Sequence, residues 1–363
     1  MSNFQKIKID EIEYYIVDSI QNLQAEDSFS RTNKLKAGTG SVEARKYVGS
    51  YIGTNGNHLK NFFEYNNWGD VKVDNKRTYP TIQNHCFFSK SNMLKYLYDA
   101  RIEYQKQEQI YKNDISKNFN KHIDKVNQLE NEKISFSIYD VSDFSDKAKG
   151  NRGYIRSDSK SWELWRELIL PKISYLSILK LLPIDNSSST PIYYFRILLD
   201  YQFRSIVHSK LLESSIEIIN QGKKEKTTKK TISREGASKY RKKVIEYMSQ
   251  CPFSKISDDR LLIASHIKPY NICMKEDKPK EAIDYLNGLA LSPTYDKLFD
   301  QGYITFTDKG ELICGTQLSA YTWEKLHINP NAKNIMRIYP EQREHYLEFH
   351  RKYVFQDNIN DLI

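Results

Sequence analysis

Four side chains in the last third of the chain have the types and spacing to do chemistry. His266 closes the short apolar run LLIASH, and Pro269 stops that run soon after. An imidazole takes up and releases a proton near neutral pH, although a lone histidine at a strand end is equally well a hydrogen-bonded structural residue. A loop of about twenty residues then leads to Asn287, which opens NGLALS, a second short apolar strand. Pro293 suits the first turn of a helix, and TYDKLFDQ continues it to Gly302, a natural stop. Asp296 and Asp300 are four apart on that helix, so their carboxylates share one face, one turn apart. Alone, the pair reads as half-exposed surface carboxylates flanking Lys297. Taken jointly, the order is strand, histidine, loop, asparagine, strand, and a helix with two candidate ligands.

The blocks ASHIKP, NGLALSP and YDKLFDQGYITF resemble the HNH nuclease family, whose fold is a ββα-metal unit. The preceding REGASKYRKKVIEYMSQCPFSKI resembles the run that leads into the motif in restriction-associated members, and YLEFHRKYVF (346–355) resembles their usual tail. The resemblance covers residues 230–355, over a third of the chain. It implies that His266 is the general base and that Asn287 braces the loop orienting it. It implies that Asp296 binds metal where the last HNH histidine does, with Asp300 a further ligand one turn on. Ser265 departs from the pattern, because many members hold an acidic or histidine ligand there; the same departure is what a catalytically inactive DNA-binding relative would show.

Those roles agree with the chemistry. Phosphodiester hydrolysis needs an activated water, charge relief on the phosphate and help for the leaving oxygen. A neutral imidazole can take the water's proton. Two carboxylates without a thiolate or histidine ligand form a hard oxygen site that favours Mg²⁺ or Mn²⁺ over Zn²⁺. Arg234, Arg241, Lys242, Lys243 and Lys268 are the candidate phosphate contacts.

The rest of the chain sets the context. It has 363 residues, a net charge of +9 and 39% hydrophobic residues, with a mean hydropathy of −0.68. That describes a polar protein inclined to a polyanion partner. The four cysteines form no CxxC pair, so no structural zinc is expected, and no apolar run is long enough for a membrane helix. Together with the lack of a signal-peptide core, this points to a cytoplasmic protein. The lysine-rich stretch near Gly222 is the best linker. We expect an α+β chain: 1–130, a mainly helical recognition region with a long helix; 131–221, a mixed middle region; 222–363, the nuclease domain.

Several local expectations follow. Residues 10–23 read as a helix capped by Asp10, with Ile12, Ile16, Ile20 and Leu23 as its stripe. Residues 44–68 read as two short helices in ordinary packing, with a helix-turn-helix that sets Asn57, His58 and Lys60 against DNA as the lesser alternative. From Ser91 to Glu130 the pattern is helical, 133–141 a strand, and 149–161 a basic loop. Trp162, Trp165 and Ile169 line a helix face as core. IYYFRILLDYQFRSIV, after Thr190 and Pro191, reads as a buried helix. His350 packs the tail; His58, His85, His208 and His327 are structural. The partner is double-stranded DNA, cut by a symmetric homodimer as in type II restriction enzymes, or modified DNA in the closest alternative.

Overall fold

The computed structural model describes residues 4–24, 45–50, 58–69, 71–74, 77–79, 83–106, 119–146, 150–168, 174–185, 189–199, 234–331 and 340–362. The chain divides into two compact units, residues 1–205 with 319–321, and residues 206–318 with 322–363. Among the described residues no helix is long and apolar enough to cross a membrane.

In the first unit β1 (Lys6–Ile9) and β2 (Ile12–Gln24) form a hairpin in which Ile9 faces Ile12. Asp10 and Glu11 make the two-residue turn at φ 48° and 64°, which matches the twist of the strands they join. There follow β3 (Arg45–Ser50), α1 (His58–Phe62), β4 (Lys72–Asp74), β5 (Arg77–Tyr79), β6 (Gln83–Ser89), α2 (Lys90–Lys106) and α3 (Phe119–Asn127). Next come β7 (Lys133–Ile138), β8 (Asp140–Asp146), β9 (Gly150–Arg156), α4 (Lys160–Leu168), β10 (Ser174–Pro183) and β11 (Ile192–Leu199). A six-stranded sheet runs β1-β2-β10-β11-β6-β7, and β3-β9-β8 form a separate three-stranded sheet. In the larger sheet only β11 and β6 are parallel. Its core is aromatic: Phe88, Phe136, Trp162, Trp165 and Phe195 pack together at ring separations of 5.0–6.2 Å.

The expectation of a mainly helical N-terminal region is wrong, since this unit is strand-rich. Residues 12–24 are a strand because Ile12, Ile16 and Ile20 are spaced by multiples of two as well as by a helical turn. Tyr14, Ile16 and Ile20 are buried, the alternation of a sheet. The segment 192–199 is a strand rather than a buried helix. Its aromatic and branched residues are covered on both faces, so the alternation that would reveal a strand is absent. Residues 45–50 are a strand too, which removes the first helix of the suggested helix-turn-helix; Asn57 lies outside the described residues. The basic loop at 149–161 is largely β9. The helical run from Ser91 appears as α2 and α3, with 107–118 outside the described residues. Ile169 also lies outside them, whereas Trp162 and Trp165 are core.

In the second unit α5 (Arg234–Tyr247) precedes β12 (Ile263–His266), α6 (Tyr270–Lys275), α7 (Pro279–Ala282), β13 (Gly288–Leu291) and α8 (Pro293–Asp300). Then come the hairpin β14 (Ile304–Phe306) and β15 (Leu312–Cys314), and α9 (Glu344–Phe349) with a π-helical turn, His350–Val354. β12 and β13 pair antiparallel, with α5 and α8 packed against them. Val244, Met248, Leu289, Leu291, Phe299, Phe306 and Leu347 form the core. His350 fastens α8 to the tail: its ring stacks on Phe299 at 3.8 Å and its nitrogens reach Thr305 Oγ1 at 2.9 Å and the Phe299 carbonyl at 3.0 Å.

Gly302 ends α8 at φ +69°, where a Cβ would stand 2.1 Å from the Val354 carbonyl oxygen. Both the left-handed backbone and the close approach demand glycine. We expect Gly302→Ala to cost about 1–3 kcal/mol of stability, read as a lowered urea midpoint of the full chain.

Candidate active site

The pairing of β12 with β13 sets His266 opposite Gly288. His266 and Asn287 therefore arrive at the same end of the ribbon, although twenty residues of loop separate them in sequence. Gly288 lets α5 come close, since a Cβ there would meet Val244 Cγ2 at 2.6 Å and Tyr240 Oη at 2.7 Å. Tyr240 uses that proximity twice. Its ring stacks on the His266 imidazole at 4.4 Å and 14°, and its hydroxyl donates to the Asn287 carbonyl at 3.1 Å. Tyr270, at the start of α6, meets the same imidazole edge-on at 6.0 Å.

The His266 ring is oriented by a backbone group. Its Nε2 lies 3.0 Å from the Ala282 carbonyl oxygen. A carbonyl only accepts, so in the neutral ring Nε2 carries the proton and Nδ1 keeps the lone pair. Burial pushes the His266 pKa below its ordinary value, and the hydrogen bond to Ala282 offsets only part of that. The ring is thus neutral at physiological pH, with a basic nitrogen to offer.

Asn287 is fully buried. Its Oδ1 accepts from the Lys268 N–H at 2.7 Å, and its Nδ2 donates to the Lys268 and Glu281 carbonyls, both at 3.0 Å. The amide orientation follows from its partners, one donor and two acceptors. One side chain thereby joins the residues just after His266 to the segment that carries the Ala282 carbonyl.

Asp296 and Asp300 occupy the first turn and the last residue of α8. Burial raises the Asp296 carboxyl above its usual range, against the opposing pull of the Ser265 hydroxyl and Lys297. Asp300 is pushed up to about 6, first by burial and then by the charge of Asp296. The two carboxylates therefore share one electrostatic environment, and Asp300 keeps enough exposed surface for a hydrated ion to reach it. Ser265 Oγ is buried with no geometrically complete hydrogen bond, yet it is near enough to Asp296 to favour its charged form. A crowded pair of carboxylates beside an under-satisfied hydroxyl is an all-oxygen donor set suited to Mg²⁺ or Mn²⁺. Among the described residues no three His, Cys, Asp or Glu side chains gather as a metal cluster.

This stretch is similar to HNH endonucleases. Residues 251–307 match the family model described as HNH endonuclease, and all four candidate residues fall inside the match. No curated protein matches the chain.

Around the HNH residues, the expected phosphate contacts divide. Lys268 is a correction. Only 5% of it is exposed, and its ammonium lies 2.6 Å from both Glu276 and Glu281. Burial opposes its charge, but the two carboxylates outweigh that and raise its pKa. A cation so enclosed is an internal counter-ion, not a hand for DNA. Arg241 ties α5 to the approach to β12, donating to the carbonyls of Asp259 and Leu262. Lys242 and Lys243 are exposed, Lys242 standing 3.6 Å from Glu246. Arg234 begins α5, with its side chain outside the described set. Sequence reasoning missed Glu276, Glu281 and the Ala282 carbonyl. The first two sit in KEDKPKEA, which reads as a solvated charged loop, and a backbone carbonyl leaves no mark in a sequence.

The raised Asp300 pKa has a consequence for stability. A carboxyl whose folded pKa of about 6 exceeds its unfolded value near 3.9 destabilises the fold above pH 6, and the penalty fades as pH falls towards 4. In EDTA, Asp300→Asn should therefore raise the thermal midpoint at pH 8, with the gain disappearing near pH 4.

Proposed function

We propose that the chain is a DNA endonuclease that hydrolyses phosphodiester bonds in double-stranded DNA at a short sequence, in the manner of a type II restriction enzyme. The observation that carries the reading is the neutral imidazole of His266, held through Nε2 by the Ala282 carbonyl with Nδ1 left as the basic nitrogen, one residue along β12 from the hydroxyl beside Asp296. In that reading Nδ1 takes the proton of the attacking water. Asn287 keeps the imidazole in place, since a displacement of about 1 Å can cost roughly a hundredfold in rate. Mg²⁺ or Mn²⁺ on Asp296 and Asp300 would supply charge relief at the phosphate and at the departing 3′ oxygen. In the same reading the exposed Lys242 and Lys243 of α5 neutralise backbone phosphates, and their contribution would weaken with salt.

The first unit supports a site-reading enzyme. It has its own aromatic core and some two hundred residues, more than a nonspecific nuclease requires. Cutting both strands at one site is simplest for a homodimer with two-fold symmetry.

The test is digestion of a sequenced genomic DNA with Mg²⁺, followed by mapping of the ends. Discrete, repeated termini are expected, and random termini would replace the site-reading enzyme with a nonspecific nuclease. Matched modified and unmodified plasmids distinguish sequence dependence from modification dependence. His266→Ala should lower cleavage by about 10²–10⁴-fold while binding is retained; unchanged cutting would remove the general-base assignment.

A further inference from the structure

The ion cluster in the loop between the two strands lies next to the one backbone group that orients His266. Lys268 follows His266 by two residues, and its backbone N–H and carbonyl are both held by Asn287. Its side chain runs into the loop and ends 2.6 Å from the Glu281 carboxylate. The Glu281 carbonyl is itself bound by Asn287 Nδ2 at 3.0 Å. Glu281 is thus held at both ends, its carbonyl by Asn287 and its carboxylate by Lys268. The next residue is Ala282, buried, whose carbonyl receives His266 Nε2.

We propose that Lys268 and Glu281 are positioning residues: their enclosed ion pair fixes the Ala282 carbonyl and, through it, the tautomer and aim of the His266 imidazole. The proposal rests on His266 being the base. Glu276 serves as the internal comparison. It too lies 2.6 Å from the same ammonium and is the more enclosed of the two carboxylates, its side chain 15% exposed against 26% for Glu281. It belongs to the loop just after α6, and its links to Glu281 run through the shared ammoniums of Lys268 and Lys278, not through the backbone that leads to Ala282. A purely stabilising cluster would make Glu276 at least as important as Glu281. A positioning device makes Glu281 the one that matters.

Tyr240 from α5 and Tyr270 from α6 flank the ring, the Ala282 carbonyl meets it from α7, and Asp296 of α8 lies beyond Ser265.

The experiment compares Glu281→Ala, Glu276→Ala, Glu281→Gln and Lys268→Met in the full chain, each checked for folding by thermal unfolding. Two quantities are read. The first is the imidazole nitrogen spectrum of His266 at pH 8 without DNA or metal, where the wild type should show one tautomer protonated at Nε2. The second is steady-state cleavage with Mg²⁺. Glu281→Ala should mix the tautomers and lower kcat about ten- to a hundredfold with KM within about twofold. Glu281→Gln, still able to accept a hydrogen bond, should recover part of the loss. Glu276→Ala should leave the His266 spectrum unchanged, and Lys268→Met, if folded, should match Glu281→Ala. A wild-type ring spectrum and kcat in Glu281→Ala, or equal losses in the two glutamate variants, would overturn the proposal. If the wild type cuts no DNA, the nuclease reading fails while the ring spectrum still decides the positioning role.

Discussion

The buried amide of Asn287 is the constraint on which the catalytic end of the second unit depends. Three backbone groups from two distant stretches meet it, one N–H and two carbonyls. Each bond contributes only about 0.5–1.5 kcal/mol net, but leaving such a group buried and unpaired costs about 1–3 kcal/mol. The arrangement is therefore close to all-or-none, because losing the amide strands three partners at once. It also requires the carboxamide in particular. An aspartate could accept from Lys268 but would turn a lone pair towards two carbonyl oxygens. The same logic covers the neighbouring backbone, where Ile267 donates to the Asn287 carbonyl at 3.1 Å and Tyr240 donates to that oxygen as well.

The carboxylate side of the site follows the opposite rule. Asp296 lies in the first turn of α8, where the helix dipole favours a negative charge, and Asp300 lies at the end, where the dipole opposes one. The order of their perturbation agrees, Asp300 rising to about 6. Like charges this close are tolerated because α8 is secured independently. His350 grips the Phe299 carbonyl and stacks on its ring, and Leu298 and Phe299 are buried between the two aspartates. Asp300 thus carries part of the cost of the neighbouring Asp296 charge.

The parts of this design that rest on side-chain type and spacing were legible in the sequence. The strand ending at His266, the Asn287 turn, the Pro293 start and Gly302 stop of α8, and the β14–β15 hairpin all appear where the pattern places them. What escaped depends on tertiary context. Lys268 reads as a surface cation until Glu276 and Glu281 fold over it. The strand 12–24 reads as a helix because a spacing of four serves both periods, and the decisive information lies in the two-residue turn at Asp10 and Glu11 and in the pairing with β10. Arg196 is buried on β11 with its guanidinium donating to Ser177 Oγ at 3.0 Å, an arrangement that hides a central strand behind a charged residue.

The two halves of the site are consequently independent in origin. The His266 ring is held by the Ala282 carbonyl and the Tyr240 stack, neither of which needs a bound ion to form. The carboxylates ride on a helix fastened through Phe299, and their charges are offset only in part, by the Ser265 hydroxyl and Lys297. They touch through a single peptide unit, Ser265–His266, where one residue turns its hydroxyl towards α8 and the next gives its ring to Tyr240 and Ala282. Adjacent residues of a strand face opposite ways, so the end of β12 serves both halves with consecutive side chains. A slip of one residue in the pairing of β12 with β13, which sets Ile263 against Leu291 and Ala264 against Ala290, would exchange those faces.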